Sequence, residues 1–257
     1  MDKLVDKWGR TIDYLRVSVT DRCNLRCRYC MPAEGITEKN HQDILSYEDI
    51  LKIVQVGSRL GINKVRITGG EPLVRLNLDH LITRLSKLKI NDISMTTNGI
   101  LLAEKANTLK KAGLDRVNIS LDTLEKDKYQ EITRTNKFEE VWTGIEKALS
   151  LELTPVKINV VVMKGINDDE ILDFARLTRD KELHIRFIEY MPISSTGFDE
   201  ASYLNMGWVK ELINKNFNLE NSELKGNGPA YYYKIANSKG SLGFITPMSN
   251  HFCGECN

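Results

Sequence analysis

The chain has 257 residues, 41% of them hydrophobic and 28% charged, an ordinary globular balance that excludes wholesale disorder and can bury a sizeable core. Lys and Arg number 36 against 35 Asp and Glu, so the net charge is +1 and no global basic excess points to nucleic acid or a membrane surface. The first residues, Met1 to Lys7, are charged, no run approaches the apolar length of a membrane span, and the five cysteines fall in two tight groups at opposite ends.

A soluble, cytoplasmic protein is therefore expected, with metal-binding rather than disulfide-bonded cysteines. In chain order, strands are predicted near Leu15–Val19, Lys64–Thr68, Asp92–Thr96, Asp115–Leu121, Pro155–Val162 and Leu183–Ile188. Helices are predicted over Ser46–Leu60, Leu76–Leu88, Ala103–Ala112, Phe138–Leu149 and Asp168–Thr178. Ser46 before Asp49 and Asn167 before Glu170 are the expected N-terminal caps, and Gly61 and Gly113 the expected C-terminal glycines. This βα alternation implies a parallel sheet, open or closed into a barrel. After Tyr190 the pattern changes. Met206–Phe217 reads as one more helix, and Tyr231–Ala236 with Leu242–Thr246, joined through Asn237-Ser238-Lys239-Gly240, as a hairpin. The expected division is a barrel over 1–190 and an extension over 191–257.

Strands buried between helices usually read as continuous apolar runs. Here Val65 and Ile67 alternate with Lys64, Arg66 and Thr68, and Val156, Ile158 and Val160 alternate with Lys157 and Asn159. The other strands do the same. One parity can pack under helices; the other would face the lumen of a barrel. Unpaired buried cations are costly, so an anionic guest is expected among Arg16, Arg66, Lys157 and Arg186, with phosphates or carboxylates the natural candidates. The alternative is an antiparallel sheet with one wet face, which carries the same alternation.

Cys23-Asn24-Leu25-Arg26-Cys27-Arg28-Tyr29-Cys30 directly follows the first predicted strand. The C-terminal end of a strand is where barrel enzymes place chemistry. Three thiolates in one short loop can hold three corners of a cubane iron–sulfur cluster, leaving the fourth iron open for reaction. The alternative is a structural zinc with His41 or a distant cysteine as fourth ligand, since thiolates suit both metals. A zinc ribbon, however, brings a second Cys pair within about 15–20 residues. None follows here.

Three cysteines at this spacing, with an aromatic residue before the last, resemble the radical S-adenosylmethionine (SAM) superfamily. Leu15 to Asn24, Arg66-Ile67-Thr68-Gly69-Gly70-Glu71-Pro72-Leu73, Thr96-Thr97-Asn98-Gly99, Asn118 to Asp122, Arg186 to Pro192 and Phe252-Cys253 resemble one family within it. That family is the GTP 3′,8-cyclases (MoaA) of molybdenum cofactor biosynthesis. The resemblance implies an α/β fold, an incomplete (β/α)6-type TIM barrel with a C-terminal α+β extension. It implies a 4Fe-4S cluster on Cys23, Cys27 and Cys30 that binds SAM at its open iron. Reductive cleavage of SAM gives a 5′-deoxyadenosyl radical, which takes the ribose 3′ hydrogen of GTP so that the carbon radical attacks C8. By matching positions, Tyr29, Gly70, Ser120 and Met191 should contact SAM. Arg16, Arg66, Thr96 and Lys157 should contact GTP, with Arg186 as a further candidate. Read singly, Tyr29 could also pack beside the cluster, Gly69-Gly70 could be a plain turn, and Met191 could be core. The family further implies an electron donor of the flavodoxin or ferredoxin type and a downstream cyclic pyranopterin monophosphate synthase, and it admits a homodimer.

Cys253-Gly254-Glu255-Cys256 resembles the start of the family's second 4Fe-4S site. A third cysteine, the arginines that follow the pair and a Gly-Gly tail do not occur within these 257 residues. The expectation is therefore a fragment of a longer product, or a natural truncation, with little cyclase activity as it stands. Two other functions remain open at this point: a peptide-modifying radical SAM maturase and a zinc-stabilised binding module.

Overall fold

The computed structural model describes residues 3–191, 200–222 and 228–250. The first half runs β1 (Tyr14–Ser18), α1 (Tyr47–Arg59), β2 (Lys64–Thr68), α2 (Leu78–Leu85), β3 (Asp92–Thr97), α3 (Leu102–Ala112) and β4 (Arg116–Ser120). It continues α4 (Lys126–Thr133), α5 (Phe138–Ser150), β5 (Val156–Val162), α6 (Ile171–Asp180) and β6 (Leu183–Glu189). The last part holds α7 (Met206–Asn216), β7 (Leu219–Asn221), β8 (Tyr231–Ile235) and β9 (Ser241–Ile245).

The strands form one sheet in the order β1-β2-β3-β4-β5-β6-β9-β8-β7. β1 to β6 pair parallel in sequence order, which rules out the antiparallel alternative. β8 and β9 are the expected antiparallel hairpin. β9 also lies parallel beside β6, with Arg186 opposite Gly243, so the sheet runs on from the first part of the chain into the last. Among the described residues β1 ends the sheet at one side and β7 at the other, leaving it open.

The apolar parity does pack under the helices. Val65, Ile67, Ile93, Met95, Val117, Ile119, Ile158 and Phe187 share one buried core with Leu51 and Val54 of α1, Leu81 and Leu85 of α2, and Ile145 of α5. Such side chains contribute about 1.5–3 kcal/mol each when fully buried, so this layer fixes which strand face turns inward. The Ser46 hydroxyl accepts from Asp49 N–H at 3.1 Å and caps α1 as expected. Gly61 and Gly113 both take left-handed φ, +103° and +106°. Asn167 does not cap. Its amide instead donates to the carbonyls of Asp122 and Val161 at 2.6 and 2.9 Å, and its oxygen accepts from Met163 N–H. The predicted helix over Leu76–Leu88 is shorter, because Leu76 is 80% exposed and Asn77 turns left-handed before α2 begins. α4 was not expected: in eight residues it buries only Tyr129, Ile132 and Thr133, too few to show a helical period.

Candidate active site

The loop after β1 carries Cys23, Cys27 and Cys30, all three unpaired. Its backbone is held from outside. Arg26 and Arg28 N–H donate to the carbonyls of Thr133 and Ile132, at the end of α4. Arg134, left-handed at φ 61°, sends its guanidinium back to the carbonyls of Arg26 (2.6 Å) and Met31 (3.2 Å). Burial pushes all three thiols above their ordinary pKa. Glu71 and Cys30 add to this at Cys23, and Asp122 and the other two cysteines add to it at Cys27. A bound cation would reverse this, since metal ligands must be thiolates.

Gly69-Gly70 follows β2 and carries the strand end against that loop. Gly70 N–H donates to Thr20 C=O and Glu71 N–H to Arg22 C=O, both at 2.7 Å. A Cβ on Gly70 would sit 2.3 Å from the Arg22 carbonyl oxygen, so the glycine is needed for this backbone contact. Glu71 is 1% exposed. It accepts from Leu73 N–H, from the Thr97 hydroxyl (2.7 Å) and from Asn98 N–H (2.6 Å), fastening β2 to β3. Asn98 in turn donates to Asn24, inside the cysteine loop, at 2.7 Å.

Asp122 does the same one strand pair further on. Its carboxylate accepts the Tyr29 hydroxyl and Val161 N–H, each at 2.8 Å. Burial raises its pKa to about 6 against the pull of those two donors. Tyr29 also packs with Ile132, Met163 and Tyr190, so packing beside the cysteines and hydrogen bonding are both true of it.

One cavity is lined by Cys23, Cys27, Cys30, Tyr29, Gly70, Ser120, Arg16 and Thr96, together with Glu71, Asn98 and Asp122. Eight residues picked from the sequence thus meet at the C-terminal ends of β1 to β4. Met191, 41% exposed, is not core and does not line this cavity. Cys253 and Cys256 lie outside the described residues. Of the fourth ligands that the zinc alternative would use, His41 lines a different cavity with Lys39 and Arg75, and the distant cysteines lie outside the described residues. The carboxylates beside the cysteines, Glu71 and Asp122, already accept three and two donors.

Behind the cysteines lies the polar face. In register, Arg16 pairs with Arg66, Arg66 with Ser94, Asn118 with Lys157, and Lys157 with His184. Lys157 and Arg186 are only 4% and 8% exposed, Arg66 is half-buried and Arg16 exposed. Among the described residues none of the four is in an ion pair. Arg66 leans on Ser94 and over the Tyr14 ring, and Arg186 donates to Asn118 at 2.8 Å. Arg116 and Lys64 share their parity but stand at strand starts, where Asp92 and Asp13 pair with them. Arg186 Nε, Arg116 Nη1 and Asn159 Oδ1 are buried without a partner. Burial, with Arg186, Arg116 and Arg66 nearby, lowers the Lys157 pKa to about 7. Burial and then Lys157 hold His184 neutral at about 4. The face is short of negative charge.

The model of the radical SAM superfamily matches residues 17–178, and that of molybdenum cofactor synthesis C matches residues 183–257. The GTP 3′,8-cyclase of Petrotoga mobilis is 54% identical over 256 residues, 99% of this chain and 79% of that protein. The chain belongs to the GTP 3′,8-cyclase family. The GTP 3′,8-cyclase of Moorella thermoacetica is 53% identical over 98% of this chain and 79% of that one. Among solved structures, Streptococcus suis SuiB bound to S-adenosylmethionine matches with a TM-score of 0.65 at 20% identity, over 79% of this chain and 47% of that one. A radical SAM methyltransferase from Sphaerobacter thermophilus matches with a TM-score of 0.59 at 17% identity, over 79% and 63%. Those two likenesses establish the shared fold. Membership of the cyclase family implies a 4Fe-4S cluster and SAM, and three free thiols in one cavity with the nearby carboxylates engaged fit both.

The sequence reading missed Glu71 and Asp122 as clamps on the cysteine loop, and Tyr232, discussed below. The only signal for Glu71 was its place in Gly-Gly-Glu-Pro; for Asp122 it was an acid at a strand end.

Proposed function

We propose that this chain binds GTP against its cationic face for the reaction after which its relatives are named. The observation that carries this reading is one cavity in which the three cysteines and Arg16 and Thr96 meet, in front of buried cations that lack counter-charges. A triphosphate supplies the missing charge, with guanidinium groups taking two oxygens each. Arg16, Arg66, Thr96, Lys157 and Arg186 are the GTP contacts in this reading. Tyr29, Gly70 and Ser120 are SAM contacts, supported by the cavity they share with the cysteines; Met191 rests on the resemblance alone.

Cys23, Cys27 and Cys30 would hold the cluster, which together with SAM supplies reductive sulfonium cleavage and hydrogen-atom abstraction. The chain's own part is positioning. Glu71, Asn98, Asp122 and Arg134 fix the cysteine loop relative to β2, β3, β4 and β5, and the buried cations fix the phosphates. Among the described residues no helix is long and apolar enough to cross a membrane. We place the protein in the cytoplasm, with a flavodoxin or ferredoxin as reductant and a cyclic pyranopterin monophosphate synthase downstream. Cys253 and Cys256 as two of the three ligands of a second 4Fe-4S cluster, a boundary near residue 190 and a homodimer complete the proposal.

The test is anaerobic reconstitution followed by reduction in the presence of SAM and GTP deuterated at the ribose 3′ carbon. Deuterium appearing in 5′-deoxyadenosine is the expected result. SAM cleavage with no deuterium transfer would reject GTP as the substrate, and a protein binding a single zinc would reject the radical chemistry.

A further inference from the structure

Tyr232 stands on β8, near the far side of the sheet. Three strand steps separate it from Lys157, through β9 and β6 to β5. At about 4.8 Å per step the path along the sheet is about 14 Å. Yet Lys157 Nζ donates to the Tyr232 hydroxyl at 3.2 Å, and its ammonium lies 5.0 Å from the centre of the ring. The two side chains therefore lean toward each other over β6 and β9. Tyr232 is 8% exposed.

Space for the ring is provided by Gly243. It faces Tyr232 on one side and Arg186 on the other in the strand register. A Cβ there would come within 2.9 Å of the Tyr232 ring and 3.1 Å of the Arg186 stem. Both neighbours are side chains of the cationic layer, so the bare backbone is what lets a ring and a guanidinium stem pass each other. Lys157 has Arg186, Arg116 and Arg66 around it, all repelling its charge. The phenol oxygen accepts its hydrogen bond.

We propose that Tyr232 is a positioning residue: seated over Gly243, it holds the Lys157 ammonium in place on the cationic face to meet the phosphates of the substrate. This rests on the reading of that face as the GTP site. The last strands of the chain thereby help build a subsite whose cations all come from the earlier ones.

The test is a double-mutant cycle on the anaerobically reconstituted protein, read as equilibrium binding of GTP and of inorganic tripolyphosphate. Tyr232→Phe keeps the ring and removes the hydroxyl. It should weaken both ligands by about two- to tenfold, the worth of one net hydrogen bond. In a Lys157→Met background most of that loss should disappear, because Tyr232 acts mainly through Lys157, and what is left reports its second contact, with Arg186. Gly243→Ala, which crowds both the ring and the Arg186 stem, should weaken both ligands at least as much as Tyr232→Phe. Equal losses in both backgrounds would overturn the proposal, since a residue acting through Arg186 alone or on the fold at large gives additive losses. Unchanged binding by Tyr232→Phe would overturn it too. A wild-type protein that binds neither ligand would reject the substrate reading itself, and this inference with it.

Discussion

The hydroxyl of Tyr29, the residue before Cys30, donates to the Asp122 carboxylate at 2.8 Å, and the other oxygen of that carboxylate accepts Val161 N–H from β5. One acid thus ties the cysteine loop to two strand ends. Asp122→Ala deletes the acceptor that Val161 N–H and the Tyr29 hydroxyl share, and a buried donor that loses its acceptor costs about 1–3 kcal/mol. A loss of about 2–4 kcal/mol in urea denaturation of the metal-free protein is expected, with reduced iron uptake. Asp122→Asn keeps an acceptor for Val161, and its amide can donate to the Tyr29 oxygen, so it should cost much less. Equal losses for the two variants would show that charge, not the hydrogen bonds, is what matters here.

Gly70→Ala places a methyl group 2.3 Å from the Arg22 carbonyl, which is backbone and cannot swing aside. The cysteine loop must then shift relative to β2. The expected variant keeps its circular dichroism, because the core under the helices is untouched, but binds less iron per chain on reconstitution. Full iron loading would mean that the loop tolerates the displacement.

Glu189 is the counterpart of these clamps at the end of β6. It is 1% exposed and accepts from Met206 N–H, Met248 N–H, Ser249 N–H and the Ser249 hydroxyl. Burial acts to raise its pKa, but those donors outweigh it and hold the carboxyl below its usual 4.5. A depressed folded value means stability that is present above pH 4.5 and lost as pH falls through the folded pKa. Glu189→Gln turns one acceptor into a donor facing other donors. It should cost about 1–3 kcal/mol at pH 7. The gap to wild type should narrow in acid, where the wild-type carboxyl also protonates.

Much of this was visible in the sequence, and the parts that were not share a cause. The period of two in Val65-Arg66-Ile67 and Val156-Lys157-Ile158 is set by the pleat, so the two strand faces could be separated without a structure. The cysteine spacing likewise needs only local chain. Glu71, Asp122 and Glu189 read as three ordinary acids, because a sequence does not say which carboxylate will meet backbone donors from the neighbouring strand. Arg116 has the same parity as Lys157, and only its place opposite Asp92 at a strand start removes it from the cationic surplus. Tyr232 reaches Lys157 because β9 seats parallel beside β6 and carries β8 with it, a product of long-range pairing.

Lys157 offers the sharpest opposition between stability and binding. Its folded pKa is about 7, against 10.5 for an ordinary lysine, and burial is the main cause. Between those values the unfolded chain binds more protons than the folded one, so the stability of the ligand-free protein should rise as pH increases from 7 towards 10. Lys157→Met removes a buried cation that has no counter-charge, and it should remove this pH dependence. It should also stabilise the ligand-free protein at pH 7, by about 1–4 kcal/mol. The same variant should bind GTP at least about tenfold more weakly, the loss of one charge-assisted contact. In the wild type a triphosphate beside Lys157 raises its pKa, so binding takes up a proton near neutrality and affinity falls as pH rises above 7. Calorimetry in buffers of different ionisation enthalpy measures that uptake directly. If Lys157→Met takes up as many protons as wild type, the titrating group is elsewhere, and Lys157 is not where the phosphates bind.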